Sequence, residues 1–237
     1  MAFFTKKREP VVMQLDPVRP VIILNFKTYK ESSGANAVRL ARIAERVQQK
    51  TRVNIIITPQ AIDIREVAAA VKIPVYSQHV DAKPVGKSTG QIIAENLADN
   101  NVHGSLLNHS ERRILLKDIK DAVLKLKEIG MQSIVCAKDD REAAGIAKMQ
   151  PVKPDFIAVE PPELIGGEVS VSTAKPQIIP KAVKACNGVP TLIGAGIKEN
   201  NDLKIVLQHG ARGVILSSHF VLSKDPEKWL LDLVQGI

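Results

Sequence analysis

Five short stretches of the chain carry residue types able to do chemistry. Asn25-Phe26-Lys27 sets an amide and an ammonium at alternate positions, hence on one side of an extended strand. Asn108-His109-Ser110-Glu111-Arg112-Arg113 supplies an imidazole at a predicted strand-to-helix junction, where the positive end of a helix would act on it. Glu160-Pro161-Pro162 supplies a carboxylate ahead of a loop stiffened by proline. Gly194-Ala195-Gly196 and Ser217-Ser218 are small, so their backbone N–H groups can closely approach an anion. Together these are a carboxylate base, an imidazole acid or electrophile, a cation and an anion cradle. That set suits proton abstraction beside the carbonyl of a small phosphorylated sugar. Singly, each member is ordinary: a strand-end Glu or His commonly forms a surface ion pair, and Gly-x-Gly is equally a tight left-handed turn. The reading rests on their joint occurrence, and it needs an architecture that brings distant strand ends to one mouth.

The order of elements supplies one. Eight β-branched runs recur at residues 21–25, 53–57, 74–78, 104–108, 133–136, 156–159, 191–194 and 213–216, with segments of helical period between them. Several runs are apolar nearly throughout, as strands covered on both faces are. No hairpin dipeptide joins consecutive runs, which predicts parallel strands connected through helices. Residues 36–49 and 118–129 each put apolar side chains on one helical face, and the second ends before Gly130, suited to a left-handed C-terminal position. Asp225-Pro226-Glu227 opens a last helix with a cap, a proline and an acid. Eight such units close into a single-domain α/β (β/α)8 barrel, whose chemistry stands at the C-terminal ends of the strands. The alternative, a doubly wound open sheet, lacks its G-x-G-x-x-G after the first strand. Residues 20–237 are expected to form the barrel. Residues 1–19, interrupted by Pro10 and Pro17, read as a flexible extension.

Composition narrows the partners. A length of 237 residues suits one α/β barrel. Aromatic residues make up only 3%, too few for a stacking platform on single-stranded nucleic acid. A net charge of +8 is compatible with nucleic acid, an acidic membrane surface or small anions. The basic residues alternate with acids, as in Lys117-Asp118-Ile119-Lys120-Asp121, which favours small anions and predicts no nucleic-acid partner. Cys136 and Cys186 are too few for a disulfide framework and read as reduced packing residues. The opening MAFFTKKREP reverses the charged-then-apolar order of an export signal, and no apolar run approaches the roughly 18–20 residues of a membrane span. The expected compartment is the cytoplasm, without membrane attachment.

The same motifs carry a resemblance. Asn25-Phe26-Lys27, His109-Ser110-Glu111-Arg112-Arg113 and Glu160-Pro161-Pro162-Glu163-Leu164-Ile165-Gly166, in this order, resemble the triosephosphate isomerase family in its short archaeal branch. The likeness runs from about Pro20 to the C-terminus, and the loop after Glu160, residues 169–176 and Gly194-Ala195-Gly196-Ile197 are similar to that branch in particular. The resemblance implies interconversion of D-glyceraldehyde 3-phosphate and dihydroxyacetone phosphate through an enediolate, with no metal or organic cofactor. It makes Glu160 the base, His109 the electrophile and Lys27 the cation, with Asn25 orienting Lys27 and Glu111 paired to it. It gives phosphate contacts to Gly194, Ser217, Ser218 and the backbone N–H of Ile165, the last on a closing lid over residues 160–167. The lid hinges on Pro161-Pro162 and Gly166-Gly167. Residues 79–90 would enter a neighbouring subunit, with Thr89 and Gly90 beside that neighbour's Asn25 and Lys27. Hence the chain is expected to be a homo-oligomer, at least a dimer and by preference a tetramer. One departure lies near the site: His219 stands where a glycine normally follows the small phosphate-site residues. It would add strain if its φ were positive, or an ionic contact if its ring faced the phosphate.

Two rivals are separable. A pentulose phosphate epimerase on the same barrel would need acidic and histidine metal ligands at several strand tops, and a chelator would abolish its turnover. A silent barrel that binds a phosphorylated ligand or nucleic acid would lose its partner steeply with rising salt, whereas isomerisation would persist.

Overall fold

Runs of Val, Ile and Leu that pair on two edges and are covered on two faces become buried parallel strands. The computed structural model describes residues 15–160, 170 and 177–237. Its strands are β1 (Val21–Asn25), β2 (Asn54–Thr58), β3 (Tyr76–Ser77), β4 (Gly104–Leu107), β5 (Gln132–Ala137), β6 (Phe156–Val159), β7 (Thr191–Ile193) and β8 (Gly213–Leu216). They form one sheet in the order β2-β1-β8-β7-β6-β5-β4-β3, with every named pair parallel. A parallel bridge between Ile57 and Val75 joins its two ends and closes the barrel. The α-helices among the described residues are α1 (Ala35–Thr51), α2 (Ile64–Ala70), α3 (Ala94–Asp99), α4 (Leu116–Glu128), α5 (Asp140–Ala147), α6 (Ile178–Ala185), α7 (Asn200–Gln208), α8 (Ser218–Val221) and α9 (Pro226–Leu233). None of them is long and apolar enough to cross a membrane.

Strand alternation divides the core in two. Val21, Ile23, Ile56, Tyr76, Leu106, Ile134 and Leu192 fill the barrel interior, while Ile22, Leu24, Ile55, Ile57, Leu107 and Val135 pack outward against the helices. Because Val21 and Ile23 face inward, Asn25, two positions further along, faces inward at the mouth. The β1–β8 seam leaves no room for a side chain at Gly213, where a Cβ would meet Val21 O at 1.8 Å.

Several element boundaries differ from expectation by a residue or more. β3 is shorter than residues 74–78, and β4 stops at Leu107 because Asn108 takes φ +59°; α4 starts at Leu116, two residues before the expected 118, so no α-helix directly follows His109. Gly130 adopts φ +75°, the left-handed conformation foreseen after α4. Residues 15–19, expected within a flexible extension, are fastened to the N-terminal rim. Leu15 packs on the barrel interior, Asp16 N–H donates to Asn54 Oδ1 at 2.9 Å, and Arg212 donates to Asp16 O at 2.7 Å. Residues 1–14 and the lid positions 161–167, Ile165 among them, lie outside the described residues.

The last helix is pinned to the first. Asp225 caps α9 by accepting from Lys228 N–H at 3.0 Å, and Glu227 in its first turn meets Arg46 and Lys50 of α1 at 2.6 and 2.8 Å. The Arg46 guanidinium first, then Lys50, lower the Glu227 carboxyl from its ordinary 4.5 to about 2. A depressed carboxyl stabilises the fold above its unfolded value, and that contribution is lost as pH falls through the folded one. Thermal melts should therefore show the wild type losing more stability than Glu227→Gln between pH 4.5 and 2. Parallel losses in the two proteins would remove this pair from the acid response.

Candidate active site

The C-terminal ends of β1, β4, β6, β7 and β8 surround a cavity of about 360 Å³. It is lined by Asn25, Lys27, His109, Ser110, Glu160, Gly194, Ser217 and Ser218, so the expected catalytic residues converge there with the expected substrate-binding residues other than Ile165, which lies outside the described residues. Glu111 and the interface residues Thr89 and Gly90 lie outside this lining.

Lys27 is set by backbone before it is set by charge. Its φ of +47° is uncommon for a side chain with a Cβ. Two amides hold it there: Lys27 N–H donates to Asn25 Oδ1 at 3.0 Å, and Gln78 Nε2 donates to Lys27 O at 2.9 Å. Asn25, only 4% exposed, also accepts from Thr58 Oγ1 at 3.3 Å. Thus Asn25 orients Lys27 through the main chain, and Gln78, at the top of β3, is a supporting residue that sequence reading missed. Its position just past a strand end was the available signal. At its tip, Lys27 Nζ lies 2.6 Å from Glu111 Oε1.

His109 was expected to sit at a helix start. Instead α4 begins seven residues later, and one turn, closed by Arg112 N–H to His109 O at 2.8 Å, follows the imidazole. The ring is polarised by a single backbone group: Glu111 N–H donates to His109 Nδ1 at 3.2 Å. The Glu111 carboxylate is 3.8 Å from the same nitrogen, too far for a hydrogen bond. A nitrogen that accepts an N–H keeps its lone pair, so this geometry leaves Nε2 as the ring nitrogen turned to donate. Nε2 faces Glu160 Oε1 at 3.3 Å. Glu160 is 4% exposed, and its second oxygen accepts from Ser110 N–H at 3.3 Å. Imidazole and carboxylate, both buried, therefore meet at the wall of the cavity.

Gly194 contributes clearance. Its N–H is engaged by Val159 O at 2.8 Å, so it has no free amide for an anion. A Cβ at this position would come within 2.7 Å of Glu160 Cγ. Gly194→Ala should shift the carboxylate and lower kcat by about ten- to a hundredfold, as small misplacements of reacting groups do. Competitive inhibition by inorganic phosphate should stay within about threefold of wild type, since no phosphate donor is lost. Weakened phosphate inhibition at full kcat would mean that Gly194 serves the anion after all.

On the opposite wall, Ser217 precedes α8; its carbonyl accepts from Phe220 N–H and Val221 N–H at 3.1 and 3.0 Å, while the first two amides of the helix, Ser218 and His219, have no intrahelical acceptor. The buried Ser217 Oγ makes no hydrogen bond to the described residues. His219 lies inside α8, so it carries no left-handed strain, and its ring stacks on Trp229 with centroids 6.1 Å apart. A second and larger groove, about 710 Å³, adjoins the site, shares Asn25, Lys27 and His109 with it, and is lined in addition by Glu111.

A family model described as triosephosphate isomerase matches residues 20–236. Proteins named triosephosphate isomerase are similar over nearly their whole length. That of Methanothermus fervidus is 46% identical over 220 residues, covering 91% of this chain and 98% of that protein. That of Methanobacterium bryantii is 43% identical over 222 residues, covering 92% and 97% respectively. That of Metallosphaera sedula is 42% identical over 220 residues, covering 92% and 95%. A barrel whose strand tops converge a lysine, a histidine and a glutamate, matched from its first strand to its last helix, places this chain in the triosephosphate isomerase family.

Proposed function

We propose that the chain interconverts D-glyceraldehyde 3-phosphate and dihydroxyacetone phosphate by proton transfer, as an enzyme of glycolysis and gluconeogenesis in the cytoplasm. The observation that carries this reading is the 3.3 Å approach of His109 Nε2 to the Glu160 carboxylate in the mouth of the barrel. With substrate between them, Glu160 removes a proton from the carbon beside the carbonyl. The bonding pair moves into a carbon–carbon double bond, and the carbonyl oxygen gains charge as His109 Nε2–H donates to it. The proton then passes between the two oxygens at His109, and Glu160 returns its proton to the neighbouring carbon. Nothing is oxidised or reduced overall, so no cofactor is required. Lys27 offsets the charge on phosphate and enediolate. Ser217 and Ser218, with the first two amides of α8, take the phosphate, and we assign a further N–H to Ile165 of the lid. The test is turnover of glyceraldehyde 3-phosphate, followed by coupled reduction of the product, with and without a chelator. Equal turnover in both arms supports the reading; none in either, or loss with the chelator alone, defeats it.

The unit that acts is, on this reading, an oligomer. Thr89 and Gly90 stand on an exposed loop whose Val85 is 60% exposed. The 710 Å³ groove beside Lys27, with Ile62 at its rim 85% exposed, offers a seat for that loop from a second copy. Leu115 and Leu116, 73% and 54% exposed at the start of α4, favour a further contact and hence a tetramer. Sedimentation should show a tetramer, or at least a dimer, and dilution to monomer should lower specific activity. A fully active, monodisperse monomer would exclude the arrangement.

A further inference from the structure

We propose that Glu142, on α5 and outside the cavity, is a positioning residue: with Asn108 and Arg113 it locks the turn that presents His109, Ser110 and Glu111. The inference rests on His109 and Glu160 acting as acid and base.

Three contacts within the site issue from that turn. Ser110 N–H holds the Glu160 carboxylate, Glu111 N–H holds His109 Nδ1, and the Glu111 carboxylate holds Lys27. The turn is closed behind the site. Asn108, 1% exposed and at φ +59°, accepts from Ile114 N–H at 3.0 Å through Oδ1, joining the two ends of the segment. Its Nδ2 donates to Cys136 O at 2.9 Å and to Glu142 Oε1 at 3.2 Å. Arg113 donates to Asn108 O at 2.9 Å through Nη1 and to Glu142 Oε2 through Nη2. Glu142 Oε2 also accepts from Lys138 N–H at 2.7 Å, while Glu142's own N–H is fixed by the α5 cap, Asp139, at 2.7 Å.

Glu142 therefore gathers three donors on two oxygens. Only a carboxylate presents acceptors on both sides, so the network is anchored where a neutral or truncated side chain would leave it open. An amide pressed into the left-handed region is retained by its surroundings, and here those surroundings converge on Glu142. Loss of that anchor would let the 108–114 segment relax, moving His109, Ser110 and Glu111 together while leaving the phosphate wall at Ser217 and Ser218 in place.

The experiment compares wild type, Glu142→Ala and Glu142→Gln in steady-state turnover, in competitive inhibition by inorganic phosphate, and in the ¹⁵N spectrum of the His109 ring. Glu142→Ala should lower kcat by about tenfold or more, as displaced reacting groups do, with KM and phosphate inhibition within about threefold of wild type. The His109 ring signals should move, because the Glu111 N–H bond to Nδ1 is disturbed. Glu142→Gln keeps the volume and one acceptor and should fall between the two. If Glu142→Ala does not fold, Glu142→Gln decides alone: a partial loss of kcat at unchanged phosphate inhibition supports the proposal. Unchanged kcat in either folded variant overturns it, as does a parallel loss of kcat and phosphate inhibition. Absence of wild-type turnover would overturn the isomerase reading, and this inference with it; wild-type turnover with unaffected variants overturns this inference alone.

Discussion

Glu160→Gln should reduce kcat by about 10²–10⁴-fold, the range a positioned general base contributes. The replacement preserves shape and can still accept from Ser110 N–H, which now bonds Glu160 Oε2 at 3.3 Å. What it removes is the ability to hold a proton. Because Glu160 is the one carboxylate lining the cavity against His109 Nε2 among the described residues, no neighbour is placed to substitute for it. Inhibition by inorganic phosphate should be retained, since the Ser217 and Ser218 wall is untouched. A fall in kcat of less than about tenfold, roughly 1.4 kcal/mol of barrier, would show that another group is the base.

Lys27→Met should damage binding and chemistry together. The ammonium lies 2.6 Å from Glu111 Oε1, and Glu111 is 60% exposed on its side chain, close to where an anionic substrate would pass. Removing Lys27 both deletes a cation and leaves a bare carboxylate facing a dianion. Two unit charges about 4 Å apart interact by about 4 kcal/mol at the effective dielectric of a protein surface, so kcat/KM should fall by about 10³-fold. Glu111→Gln added to Lys27→Met should recover about tenfold by deleting the repulsion while leaving the missing attraction. If the second substitution worsened the first, Glu111 would have a role beyond pairing with Lys27. Activity of Lys27→Met within about threefold of wild type would remove the lysine from the site.

How far these groups were visible beforehand follows from where their determinants lie. The eight strands were legible because each is a local run of β-branched and apolar residues, and the burial of 21–24 on both faces of β1 needs no information from elsewhere. Lys27, His109 and Glu160 were legible for a related reason: a polar residue that ends such a run must stand at the barrel mouth once strands and helices alternate. The two-residue period also predicted that Asn25 and Lys27 project together.

The supporting contacts depended on strand order and turn geometry, and the linear chain encodes neither directly. β4 lies beside β5, which brings Asn108 to Cys136 O and Glu142 to Arg113, groups 28 and 29 positions apart. The left-handed turn at Asn108 postpones α4, so His109 is polarised by one backbone N–H instead of a helix end. Pairing between β6 and β7 engages the Gly194 amide with Val159, which changes that glycine from an anion donor into a space left open for Glu160. The sequence by itself determined which side chains reach the mouth, because strand periodicity is local. Only the tertiary structure decided how they are held, because hydrogen-bond partners and steric clearances belong to neighbours brought close by barrel closure.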